Sequence, residues 1–181
     1  DIREGVYDPN IFKAFFIAGG PGSGKSFVVK RTTGGLGMKI VNSDPAFEKM
    51  LKDAGYSTDI SDLDPTIRDT IRGKAKAVTK KRRDSFVDGR LGLIIDGTGK
   101  DYDKITRQAT ELKQLGYDTY MIFVNTSLDV ALARNRKRDR VLADSMVIQL
   151  WNQVQQNLGK FSQYFRRNLV IVDNNEEQED D

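Results

Sequence analysis

At 181 residues, 38% of them apolar and 30% charged, with a formal charge of +3, the chain can bury one sizeable core and is too short for two full-sized domains. It contains no cysteine and no histidine. That excludes disulfides, thiolate metal sites and the usual neutral-pH general base, leaving carboxylate, lysine or tyrosine for any proton transfer. No apolar run approaches the roughly 18 residues of a membrane span and no charged-then-apolar leader opens the chain, so a soluble, cytoplasmic protein without membrane contact is expected.

The first predicted strand, 12–18, runs directly into Gly19-Gly20-Pro21-Gly22-Ser23-Gly24-Lys25-Ser26, followed by Phe27. This is the spacing G-x-x-x-x-G-K-S in a strand-to-helix setting. Backbone N–H groups there turn inward around phosphate oxygens, a turn that side chains at Gly22 or Gly24 would obstruct. Residues 19–27 are therefore the candidate site for a nucleoside triphosphate, with Lys25 reaching the β- and γ-phosphates and Ser26 ligating Mg2+. The first predicted helix, 25–33, adds the positive end of its dipole to the same anion. Residues 31–37 read as a flexible connection.

The second strand, 38–42, exits through Asn42-Ser43-Asp44-Pro45. Asp44 is the candidate general base. An Asp before Pro is also an ordinary helix N-cap, and the two roles are compatible. Helices are predicted at 45–54 and 65–88. The longer one carries Lys74, Lys76, Lys80, Lys81, Arg82 and Arg83 beside an apolar side of Ile67, Ile71, Ala75 and Val78. It reads first as a solvated face and second as a surface for polynucleotide phosphates, since no aromatic residues interleave its charges. Strand 92–96 ends in Asp96 before Gly97-Thr98-Gly99, at the carboxyl edge where open α/β sheets place ligands. Asp96 is the candidate second acid near Mg2+, acting through water, and Thr98 a candidate substrate contact. Gly97 and Gly99 would let backbone approach a substrate closely.

A helix at 102–115 and a strand at 118–125 lead to a helix at 127–138 that ends in Arg134-Asn135-Arg136-Lys137-Arg138. Arg134 and Arg138 share one face at i, i+4. Charges this dense repel unless an anion gathers them, and a transferring phosphoryl group is such an anion. The two arginines are candidates for transition-state contact, Arg136 for substrate contact, and about 134–143 for a lid. In the helix predicted at 144–165, Trp151, Phe161, Tyr164 and Phe165 have the spacing of core residues rather than of a stacking platform. A last strand, 168–172, completes a single expected domain over 1–172. The tail 173–181 carries six acids and no bases, so the body holds +9, and the tail reads as disordered and solvated. Short apolar runs alternating with helical patterns are the signature of a parallel sheet covered by helices.

With the loop, Val41-Asn42-Ser43-Asp44, Ile94-Ile95-Asp96-Gly97-Thr98 and Arg134-Asn135-Arg136-Lys137-Arg138 in this order, the sequence resembles, over about residues 12–172, the P-loop kinases that group 5′-polynucleotide kinase with the zeta toxins. The resemblance implies a three-layer α/β P-loop NTPase fold: a five-stranded parallel sheet between helices, with a mobile lid over the nucleotide. It further implies that Asp44 activates an acceptor hydroxyl and that Arg134 and Arg138 hold ATP phosphates and the transition state. That group commonly carries an arginine three residues beyond the catalytic acid, where this chain has Phe47, a departure that counts against a polynucleotide acceptor specifically. The expected activity is ATP- and Mg2+-dependent phosphoryl transfer to an anionic hydroxyl acceptor: a polynucleotide 5′-hydroxyl (nucleic acid), a nucleotide sugar or another small molecule. A nucleotide-binding switch acting through a protein partner is the alternative.

Overall fold

Five apolar segments extend as strands: β1 (Lys13–Ala18), β2 (Lys39–Val41), β3 (Leu93–Asp96), β4 (Asp118–Asn125) and β5 (Leu169–Asp173). In the computed structural model, which describes residues 11–33, 37–138 and 141–175, they pair all-parallel in the order β2-β3-β1-β4-β5. Parts of three expected features lie outside the described residues: 34–36 of the connection, 139–140 of the lid, and the acidic tail beyond Asn175. Helices α1 (Lys25–Thr33), α2 (Asp44–Asp53), α3 (Pro65–Asp88), α4 (Tyr102–Gln114), α5 (Leu128–Arg136) and α6 (Asp144–Phe165) connect the strands. Four of these elements, α1, α3, α6 and β4, occupy the predicted residues end for end, and the others differ by one or two residues at a terminus.

The central strand explains the layering. Along β1 successive side chains face opposite sides, so Ala14, Phe16 and Ala18 join the cluster formed with Phe123, Met121, Leu112, Phe161 and Phe165 from β4, α4 and α6. Ile17 faces the other way, into a smaller cluster with Ile94, Val124 and the α1 residues Val28 and Val29. Burial on both faces is what a parallel central strand requires. Registers Ile17↔Asp96 and Ala18↔Phe123 bring the carboxyl ends of β1, β3 and β4 to one edge.

A third cluster, Phe47, Leu51 and Ala75, lies between α2 and α3. It is narrower than the sequence pattern implies: Ile71 is partly buried, while Ile67 and Val78 remain more than a third exposed. The reason is that α3 packs against α2 and the short edge strand β2, so only one narrow stripe of a 24-residue helix meets protein. Trp151 and Tyr164 are half-buried rather than core, each with its polar tip bonded: the Trp151 indole N–H donates to Thr126 O at 2.9 Å and the Tyr164 hydroxyl meets Thr110 at 2.7 Å.

Side chains cap three helices. Asp64 accepts from Thr66 N, Asp101 from Lys104 N and Ser127 from Val130 N. The Gly-Tyr pairs at 55–56 and 116–117 are helix exits, with Tyr56 N donating to Leu51 O and Tyr117 N to Leu112 O. No helix among the described residues is long and apolar enough to cross a membrane.

Candidate functional site

A cleft of about 770 Å³ opens at the carboxyl edge of the sheet. Its floor is the glycine-rich loop, Gly19, Gly20, Pro21, Gly22, Ser23, Gly24, Lys25, Ser26 and Phe27, leading from β1 into the first turn of α1. Two local bonds shape the loop: Ser23 N donates to Gly20 O at 3.1 Å, and Val28 N to Gly24 O at 3.2 Å. Gly22 has φ +77°, and a Cβ there would stand 2.2 Å from the carbonyl oxygen of Ala131. Both the backbone angle and the contact with α5 demand glycine. The loop's first residue is fastened to β3's exit by Gly19 N donating to Thr98 O at 3.0 Å.

One wall comes from the ends of β2 and β3. Asp96 pairs with Lys25 at 2.9 Å, and Lys25 Nζ also donates to Gly97 O at 2.5 Å. The other Asp96 oxygen accepts from Asn42 Nδ2 at 3.0 Å, while Asn42 Oδ1 accepts from Asp44 N at 2.9 Å. Ser43 precedes α2 without a side-chain cap, so Asn42 performs that task from one residue further out. Asp44 is thus the first helical residue, not the cap. It is exposed, it lines the cleft, and its carboxylate accepts no hydrogen bond among the described residues.

The opposite wall is α5 and the two residues that follow it. Val130, Ala133, Arg134, Lys137 and Arg138 face the cleft. Arg134 donates through Nη1 to Asn174 O at 2.7 Å, with Ser23 O and Gly22 O at 3.4 and 3.5 Å. Buried Asn135 bonds both N–H and C=O of Leu142, at 3.1 and 2.8 Å, which ties together the two ends of the expected lid segment. Ser26 and Asp96 supply a hydroxyl and a carboxylate to the same space. Hard oxygen donors of this kind fit Mg2+ completed by water and substrate phosphate.

The structure therefore brings together the loop residues, Asp44, Asp96, Thr98, Arg134 and Arg138. Arg136 does not join them. It is exposed and pairs with Asp144 at 2.7 Å, and this bond holds its guanidinium pKa above the ordinary value. Lys137, one position on, lines the cleft instead. Gly99 also departs from its expected role. Its φ is +85° and a Cβ would meet Ala18 Cβ at 2.8 Å, so it serves packing under the β1 exit, and its carbonyl accepts from Asn157 at 2.9 Å. Phe47, where the family resemblance implies arginine, is buried beneath α3 with the Arg72 guanidinium 4.5 Å above its ring.

Besides Lys137, two polar contributors lie beyond the sequence reading. Asn42 carried a signal, an Asn two residues before a helix start. Asn175 carries none, because it stands among the acids at the end of the chain. The β5 strand runs to Asp173, pairing with Asn125, and the next two residues are fastened. Asn174 N donates to Asn125 O at 2.9 Å and Asn174 Nδ2 to Ser23 O at 2.9 Å, while Asn175 Oδ1 accepts from Ser127 N at 2.8 Å. The expected boundary at 172/173 thus moves beyond Asn175, which lines the cleft.

A family model described as an AAA domain matches residues 15–159. No curated protein matches the chain. Among solved structures, the PezAT chromosomal toxin–antitoxin system of the human pathogen Streptococcus pneumoniae is similar at TM-score 0.66 and 17% identity, over 89% of this chain and 68% of that one. The Pnkp1/Rnl/Hen1 RNA repair complex is similar at 0.65 and 18%, over 84% and 47%. A gluconokinase from Sinorhizobium meliloti 1021 is similar at 0.52 and 15%, over 91% and 83%. At such identities the likeness establishes the fold, a five-stranded parallel P-loop architecture shared with kinases.

Proposed function

We propose, from the premise that this chain belongs to the AAA domain family, that it is an ATP- and Mg2+-dependent kinase transferring the γ-phosphoryl group to a hydroxyl of an anionic acceptor. The observation that carries this reading is Asp44: an exposed carboxylate on the cleft wall, not consumed as a helix cap, at the same cleft as the phosphate-binding loop. A switch that only binds and releases nucleotide has no use for a carboxylate held there.

The loop amides and Lys25 hold the β- and γ-phosphates, and the α1 amino terminus adds its partial positive charge. Ser26 and Asp96 hold Mg2+, which when bound neutralises phosphate charge. Asp44 takes the proton from the acceptor hydroxyl as that oxygen bonds to the γ-phosphorus, and the bond from phosphorus to the bridging oxygen breaks, leaving ADP. Arg134 and Arg138 offset the charge on the equatorial oxygens. An anionic acceptor suits Lys137 and Arg138 on the wall and the basic body. The fold is shared with a gluconokinase and with an RNA repair complex, so both small-molecule and nucleic-acid acceptors belong in the assay.

The test is transfer of labelled γ-phosphate from ATP to 5′-hydroxyl DNA and RNA oligonucleotides, nucleotide sugars, nucleosides and sugar acids, beside Lys25→Ala and Asp44→Asn. Transfer to one class, lost in both variants, is the expected result. ATP binding without transfer to any acceptor would overturn the kinase reading in favour of a switch.

A further inference from the structure

We propose that Asn42 is a positioning residue that couples the phosphate and metal end of the cleft to Asp44, an inference that rests on the kinase reading above. Four residues form an unbroken polar chain. Lys25 pairs with one Asp96 oxygen at 2.9 Å, the other accepts from Asn42 Nδ2 at 3.0 Å, and Asn42 Oδ1 accepts from the backbone N–H of Asp44 at 2.9 Å. The partners fix the amide orientation, since a backbone N–H requires the oxygen and a carboxylate requires the NH2 group.

Capping alone does not account for this residue. Oxygen from Ser, Thr or Asp at this position would accept from Asp44 N equally well. Only a side chain that accepts at one end and donates at the other, across about the width of an amide, can also hold Asp96. Among short side chains Asn alone does so with a strong donor and no charge. The second bond is made to an ionised group in a largely enclosed place, the Asp96 side chain being 10% exposed, where charge-assisted bonds are strongest.

The consequence is a link between two substrates. Nucleotide phosphates compete with Asp96 for Lys25, because both are anions within reach of one ammonium. As Lys25 turns to phosphate, Asp96 loses this ion pair and its carboxylate re-aims. Asn42 must follow or lose its bond. Asn42 in turn holds the first N–H of α2, so the turn carrying Asp44 moves with it. By linkage, acceptor bound at Asp44 then changes affinity for the nucleotide by the same factor.

The experiment uses the full chain, 15N-labelled, titrated with Mg2+ and a non-hydrolysable ATP analogue while the backbone amides of Lys25 and Asp44 are followed by NMR. Asn42→Ser keeps a capping oxygen but cannot reach Asp96. Asn42→Asp keeps the cap and replaces the donor with a repelling carboxylate. In the wild type both amides shift along one binding curve. In each variant Lys25 still shifts, but the ligand-induced shift of Asp44 is lost, while amide protection across 47–53 and the thermal midpoint show that α2 is intact. An Asp44 shift equal to wild type in either folded variant overturns the coupling. So does a wild-type Asp44 that stays still while Lys25 responds. A Lys25 that does not respond in the wild type would instead overturn the nucleotide reading, and the coupling with it.

Discussion

The two ends of the cleft are built differently. At the nucleotide end, the loop is fastened to β3's exit, to α5 and to the segment after β5, and Lys25, Asp96, Arg134 and Asn174 each hold at least one partner. At the other end, Asp44 is exposed and heads a hairpin, α2–α3, whose small core of Phe47, Leu51 and Ala75 is separate from both clusters that clamp the sheet. The difference has a physical reading. On the proposed kinase function, a triphosphate is the same in every turnover and rewards preorganised donors, whereas an acceptor must enter and leave, and elements with little buried area open at low free energy.

The sharpest way to break this comparison is Asp44→Asn. Because this change keeps the backbone N–H that Asn42 holds, kcat should fall about 10²–10⁴-fold while affinity for MgATP stays at the wild-type value, as single-turnover kinetics and calorimetry would show. A matching loss of MgATP affinity would mean that the Asp44 carboxylate itself serves the nucleotide end.

Next in size are two core truncations. Phe161→Ala, in the fully buried cluster beneath the sheet, should cost about 3–5 kcal/mol of global stability in denaturant unfolding. Leu51→Ala, equally buried but in the hairpin, should cost about 2 kcal/mol, the lower end for such a change, because its site can collapse. Hydrogen exchange should then quicken in 44–88 and not in the sheet; uniform acceleration would erase the distinction.

A smaller effect separates Arg134 from Arg138. Arg134→Ala removes the 2.7 Å bond to Asn174 O, and should cost about 1–3 kcal/mol in stability and weaken MgATP binding. Arg138→Ala, exposed on the cleft rim, should change stability by no more than about 0.5 kcal/mol and act on kcat. The smallest effect is a control far from both ends. Burial raises the Tyr117 phenol pKa against the opposing charge of Arg90. Its stabilising contribution is therefore complete below its ordinary value of about 10 and is lost as pH rises through the raised value. Tyr117→Phe should flatten that alkaline decline in thermal melts and leave transfer activity unchanged.

Local chemistry made much of this molecule readable in advance. Asp64-Pro65 sets the start of α3, Ser127 the start of α5 and Gly116 the end of α4, because caps and turns depend on residues a few positions apart. The loop and Asp96 were likewise legible, since each is a strand followed at once by its functional residues. Three things were not. Arg136 and Lys137 are neighbours in a charge run, and which of them meets the cleft depends on a rotation of about 100° per residue fixed by how α5 packs on α6. Asn42 finds Asp96 54 residues away, and Asn175 finds Ser127 48 residues away. The sequence by itself determined the elements, the glycine-rich loop and the carboxylates at the sheet edge. The tertiary structure alone decided which of their side chains meet, because the order β2-β3-β1-β4-β5 places β2 beside β3 and β4 beside β5, and no local preference encodes that adjacency.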